Sequence, residues 1–241
     1  MKKDIQNKIL NRLLYEFKHH IRNELYSICQ FKLAARSNGI EGNTMSEDDT
    51  AMLFDTQQIP SIKYIAKEIE EAQGHFLMFN EMLKSIHLPL SIDIIKRYHK
   101  ALTEGIFEFK ANGGVPGEFK KRPNIAGTME TTEPDKVESE LNELIRGYNK
   151  IDKISIKDLA SFHYEYERIH PFQDYNGRTG RMILFGESLK HFTPIVINVN
   201  DRREYVDSLI KARNSAGNIE SLSHYLEIWQ NSFYKEIEKY I

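Results

Sequence analysis

The sequence predicts an all-α domain on three observations. Apolar residues recur at the three- and four-residue spacing of a helix face over most of the 241 residues. Helix-start residues stand at or ahead of several of those runs, at Ser61, Ser91 and Ser155. One stretch, 111–134, breaks the pattern and is rich in glycine and proline.

The first run covers residues 4–36, where Ile5, Ile9, Leu13, Leu14, Phe17, Ile21, Leu25 and Ile28 follow the helical period. The second starts at Ser61 and passes through Ile65, Ile69, Phe76, Phe79 and Leu83. Ser91 caps a third, which Gly105 stops. In 111–134, ANGGVPGEFKKRPNIAGTMETTEP, short segments around Phe119 and Ile125 fit a β-hairpin. A surface loop of that length inside a compact helical domain is usually functional or disordered. Pro134 suits the first residue inside the next helix. SIKDLASFHYEYERI opens on a capping box in which Asp158 answers Ser155. Helices at about 201–214 and 219–238 finish the chain. No repeat, low-complexity tract or long linker divides it, so 1–241 reads as a single domain.

Charge narrows the partners. Lys plus Arg number 33 against 35 Asp plus Glu, a net charge of -2, so nucleic acid and acidic membranes exert no general pull and phosphate binding must be local. The single Cys29 excludes an internal disulfide and suits a reducing compartment. MKKDIQNKILNRLLYEF is too charged for a signal-peptide core, and no run approaches membrane-spanning length. The expectation is a soluble cytoplasmic protein with neither nucleic acid nor membrane as partner.

Chemistry concentrates in IHPFQDYNGRTGRMILF, 169–185. Pro171 disfavours helical geometry at His170, so the helix from Ser155 should stop near Ile169. The helical pattern resumes near Gly177 and runs through Met182, Ile183, Phe185 and Leu189. QDYN therefore feeds a helix N-terminus, whose unpaired N–H groups and positive dipole end favour an anion, phosphate above all. Arg178 and Arg181 project from one side of the first turns and suit a forked grip on a polyphosphate. Asp174 is a hard oxygen ligand fit for a magnesium ion bridging phosphate oxygens. His170 is a titratable base at the edge of the same pocket.

In this order the residues resemble the signature of the Fic family, His-Pro-Phe-x-Asp/Glu-Gly-Asn-Gly-Arg-x-x-Arg. It stands here as HPFQDYNGRTGR, matching at every specified position but one. The resemblance implies the all-α Fic fold, with a β-hairpin flap at about 117–128 ahead of a signature loop and helix at 170–190. It implies a protein adenylyltransferase that moves AMP from ATP, with Mg²⁺ or Mn²⁺, to a Ser, Thr or Tyr hydroxyl of a target protein. His170 would be the base, Asp174 the metal ligand, and Asn176, Gly177, Arg178, Gly180 and Arg181 the nucleotide site, with Phe172 anchoring the loop. Asn124, Ile125, Ala126 and Gly127 would form the flap that aligns a target segment by strand addition. Family members that phosphorylate instead, the Doc toxins, carry Lys at the position of Gly177. Self-modification and a homo-oligomer are also compatible with the family.

The departure is Tyr175, where the family usually has glycine. A left-handed backbone there costs a tyrosine about 1–2 kcal/mol, so either the loop keeps negative φ or the site holds strain. Upstream, SNGIEGN, 37–43, resembles the Fic inhibitory motif Ser/Thr-x-x-x-Glu-Gly/Asn, within a helix of about 30–42. Ser37 and Glu41 lie one helical turn apart, and Gly42 can end the helix. The resemblance implies that Glu41 forks onto Arg181 where a γ-phosphate would bind. Two alternatives stand beside AMP transfer: a de-AMPylating hydrolase in which Glu41 positions water, and a catalytically weak nucleotide-binding interaction module.

Overall fold

A computed structural model describes residues 2–58, 63–127 and 129–241, and in it the first helical run is two helices rather than one. α1 spans Lys2–Lys18 and α2 spans Leu25–Ile40. Between them His20 (φ 54°) and Asn23 (φ 61°) turn the chain through left-handed backbone. Ile21 and Leu25 keep the apolar spacing across that turn, which is why the period alone does not reveal the break.

α3, Glu47–Thr56, was not anticipated by the apolar pattern. Ser46 caps it by accepting the Asp49 N–H at 3.1 Å, and Glu47, Asp48 and Asp49 complement the dipole in its first turn. α4, Ala66–Ser85, buries Ile69, Phe76, Phe79 and Leu83 as the spacing requires. Its expected start, Ser61, lies outside the described residues. α5, Ile92–Thr103, begins at Ser91, whose Oγ accepts the Ile94 N–H at 3.3 Å. A short α6, Phe107–Ala111, follows.

The hairpin is shorter and later than expected. β1, Ile125–Ala126, and β2, Met129–Glu130, pair antiparallel with Ile125 opposite Glu130 and Ala126 opposite Met129. Thr128, at the end of the expected flap, lies outside the described residues. Phe119 does not join this ladder but bridges Phe172 of the signature loop. After a 3₁₀ turn with Pro134 at its start, α7 runs Val137–Tyr148. α8, Ile156–Ile169, opens on the expected box: Ser155 N–H donates to Asp158 Oδ2 at 2.8 Å and Asp158 N–H to Ser155 Oγ at 3.2 Å. α9, Asn176–His191, α10, Arg202–Asn214, and α11, Glu220–Ile237, complete the chain.

α9 is the axis of the fold. Met182, Ile183, Leu184, Phe185 and Leu189 are all buried, and α1, α2, α4, α5 and α8 pack around it. Phe185 meets Phe79 of α4 at a ring separation of 5.4 Å. A helix apolar on every side belongs in a core, so its N-terminus is held by most of the domain at once. Among the described residues no helix is long and apolar enough to cross a membrane.

Candidate active site

The site begins where α8 stops. With Pro171 next, His170 takes left-handed backbone (φ 52°, ψ 62°) and its N–H still donates to the Tyr166 carbonyl at 2.9 Å. His170 Nδ1 lies 3.2 Å from the Glu167 carbonyl oxygen. A carbonyl only accepts, so Nδ1 carries the hydrogen and Nε2 keeps its lone pair. Burial, reinforced by the Lys120 cation, holds the imidazole down at about 4 against the opposing Glu167 carbonyl, Glu41 and Asp174. The ring is neutral at pH 7.

The loop beyond it is fixed from inside. Phe172 is fully buried and stacks on His99 of α5 at 3.8 Å. Asn176 closes the loop: its Oδ1 accepts the Phe172 N–H and its Nδ2 donates to the Phe172 carbonyl, each at 2.8 Å. His99 Nε2 donates to the Asp174 carbonyl at 3.2 Å, while its Nδ1 accepts the Gly117 N–H at 3.0 Å. Asp174 Oδ1 takes the Tyr175 N–H at 2.6 Å. No side chain caps the N-terminus of α9.

Tyr175 adopts φ 63°, so the left-handed alternative holds. Its ring is buried, edge-on to Phe109 at 5.3 Å, with the Arg178 guanidinium 4.0 Å from its centre. Its hydroxyl donates to Glu71 Oε1 at 3.3 Å. Arg178 Nη1 is 2.9 Å from the same carboxylate oxygen. The two arginines, expected to act as one fork, are thus each claimed by a different carboxylate.

Arg181 is the second. Its Nε donates to Ser37 Oγ at 3.0 Å, and its Nη2 donates to the Ser37 carbonyl at 2.9 Å and to Glu41 Oε1 at 2.7 Å. The Glu41 contact is single, not a two-pronged fork. Glu41 is the C-cap of α2, with Gly42 at φ 96° just beyond. Burial works against the Glu41 carboxylate, but Arg181 and Arg178 outweigh it and hold its carboxyl below the usual range. Gly177 makes the contact sterically feasible: a Cβ there would sit 2.5 Å from Glu41 Oε1 and 3.0 Å from Arg181 Nη1. Gly180 departs from expectation. It does not line the cleft; a Cβ would lie 2.4 Å from Glu167 Oε1, so this glycine serves the close approach of α9 to α8.

Glu41, His170, Asp174, Asn176, Gly177, Arg178 and Arg181 line one cleft of about 400 Å³, a volume suited to a small-molecule ligand. Ile125, Ala126 and Gly127 form one rim, and Tyr205, Leu209 and Ile210 of α10 face into it. Asn124 stands behind the rim, its Nδ2 donating to the Phe172 carbonyl at 2.8 Å. Among the described residues no group of three or more His, Cys, Asp or Glu side chains is placed to hold a metal.

Residues 89–185, from just ahead of α5 to the middle of α9, match the model of the Fic/DOC family. Over that segment the chain is similar to the Fic/DOC family. Protein adenylyltransferase fic-1 of Caenorhabditis elegans is 28% identical over 178 residues, covering 70% of this chain and 34% of that protein. Protein adenylyltransferase Fic of Nematostella vectensis is 26% identical over 197 residues, covering 76% of this chain and 43% of that protein. This chain therefore spans well under half the length of either relative. A Fic-domain signaling protein of Bacteroides thetaiotaomicron superposes with a TM-score of 0.74 at 22% identity, over 92% of each chain. A fic-1 structure from C. elegans gives 0.70 at 22% identity, over 99% of this chain and 72% of that one. These likenesses confirm the helical Fic fold.

Glu71, His99 and Lys120 support the loop 170–176 yet had no signal of their own in the sequence. Glu71 came nearest: it is a charged residue beside Ile69 and Ala72 on the buried stripe of α4.

Proposed function

We propose that this chain transfers AMP from ATP to a hydroxyl group of a target protein. The observation that carries the reading is the convergence of a neutral His170, Asp174 and Arg181 on one cleft at the uncapped N-terminus of α9. Backbone N–H groups there receive the phosphates, and Arg181, once free of Glu41, takes the outermost one. The target hydroxyl oxygen attacks the α-phosphorus, its proton passes to His170 Nε2, and the bond to the β-phosphate breaks to release pyrophosphate. Asp174 would hold Mg²⁺ or Mn²⁺ through its carboxylate, a hard oxygen ligand. Such an ion would neutralise charge on the departing pyrophosphate. The rim at Ile125, Ala126 and Gly127 would hold the target segment as an added strand.

Incubation of Glu41→Gly with ATP labelled at the α-phosphate and a cell lysate tests this. Labelled protein should appear, vanish with a chelator, and fall by about 10²–10⁴ in rate when His170→Ala is added, with ATP affinity nearly unchanged. ATP binding without transfer would overturn the reading. A second reading draws on the Glu41 carboxylate, which is 36% exposed and lines the cleft beside Gly177. It could hold a water for removing AMP from a modified protein. Loss of label from a pre-labelled target that depends on Glu41 would favour that reaction.

A further inference from the structure

Lys120 belongs to neither motif, yet it joins the flap to the loop that carries His170. The residue is only 3% exposed. Its Nζ donates to Asn124 Oδ1 at 2.8 Å, where the chain enters the hairpin, and to Thr131 Oγ1 at 2.6 Å, where it leaves. A third bond, at 3.2 Å, goes to the carbonyl of Ile169, immediately before His170. The backbone N–H of Lys120 donates to the Pro171 carbonyl, immediately after His170, at 2.9 Å. One residue thus gathers both feet of the hairpin and both neighbours of the base.

Two features argue that this arrangement is more than packing. The hairpin has two residues per strand, too few to hold its own position. Among the described residues the ammonium meets only neutral oxygens at hydrogen-bond distance, and burial pushes it down to about 8 although Glu133 and Glu140 pull the other way. A buried cation held by neutral acceptors is costly compared with an apolar side chain of the same length.

We propose that Lys120 is a positioning residue that sets the distance between the flap rim and His170, so that a strand laid on the flap brings its hydroxyl to Nε2. This rests on the AMP-transfer reading for its purpose, though its geometry can be tested apart from it. Ile125, 65% exposed at the rim, is the edge that such a strand would meet.

Hydrogen exchange on the full chain decides the geometry, with Lys120→Met, Lys120→Arg and Thr131→Val compared with wild type. Lys120→Met should speed exchange of amides 124–127 and 129–131 by about tenfold or more and leave those of α9 unchanged. Thr131→Val, which removes one partner, should shift the same amides less. Lys120→Arg keeps the charge and several donors, and should restore most of the protection. In a Glu41→Gly background with labelled ATP and lysate, Lys120→Met should lower AMP incorporation at saturating ATP by about tenfold. ATP affinity should stay within about twofold, because Lys120 does not line the cleft. Unchanged flap exchange in both Lys120→Met and Thr131→Val would overturn the proposal, as would an equal loss of ATP affinity and transfer. If Glu41→Gly itself transfers nothing, the AMP-transfer reading fails, and flap exchange still decides the role of Lys120.

Discussion

Tyr175 holds a backbone conformation that its own Cβ opposes. Left-handed φ costs it about 1–2 kcal/mol, whereas removing a buried aromatic ring costs about 3–5 kcal/mol. Tyr175→Gly should therefore destabilise the fold by about 1–4 kcal/mol in urea unfolding, despite relieving the strain. A gain in stability would mean the ring contributes less than its contacts with Phe109 and Arg178 suggest. Tyr175→Phe removes only the 3.3 Å bond to Glu71 and should cost about 0.5–1.5 kcal/mol. The left-handed conformation was one of two alternatives that the sequence left open, because the family pattern puts glycine there. The partner was not legible: Glu71 lies 104 residues away, and nothing local ties it to Tyr175.

At the scale of elements, local chemistry was legible and boundaries set from outside were not. Ser91 and Ser155 cap α5 and α8 because the bonds they accept lie within three residues. The α1–α2 break depends on two left-handed residues that leave the apolar period intact. The hairpin sits beyond its expected place because tertiary bonds from Lys120 and Asn124, rather than strand propensity, locate it. α2 matters most to the site, since it carries Glu41 at its end. It is held by Arg36, which donates to Glu47 Oε1 at 2.6 Å and to both Glu236 oxygens at 3.0 and 2.7 Å, and by Arg202, which donates to the Ile40 carbonyl at 2.6 Å. Glu236→Gln should cost about 1–2 kcal/mol of stability, reduced from a fully buried pair by partial exposure. On the AMP-transfer proposal it should also loosen Glu41 and raise transfer, though by less than Glu41→Gly. Unchanged stability and rate would show that α2 is fixed by its apolar contacts alone.

Across the whole molecule, the all-α class followed from periodicity, whereas the assembly of the site needed contacts that no local pattern encodes. Glu41 and Arg181 meet across 140 residues, and only the resemblance to a known motif anticipated them. The same burial that builds the site makes the fold sensitive to acid. Burial, aided by nearby arginines, holds His75, His99 and His163 down at about 3, from 6.5 in an unfolded chain. Between those values the unfolded chain binds protons that the folded one does not, so stability falls as pH falls through 6.5. At pH 5 each such histidine costs roughly 2 kcal/mol relative to neutral pH. Glu41, Glu47 and Glu236, held below the usual carboxylate range, add losses in the same direction as pH falls below 4.5. Urea unfolding at pH 7 and pH 5 should show this drop, and equal stability at the two values would contradict it. The most direct measurement is the initial rate of AMP transfer from labelled ATP by wild type, Glu41→Gly, Arg181→Ala and the double variant. A charge-assisted bond is worth about 1.5–3 kcal/mol, less at a carboxylate one third exposed, so Glu41→Gly should be about tenfold faster than wild type. Arg181→Ala and the double variant should be equally slow, because both lack the proposed phosphate ligand. Equal rates for wild type and Glu41→Gly would contradict the proposal that the Glu41–Arg181 contact withholds Arg181 from the outer phosphate.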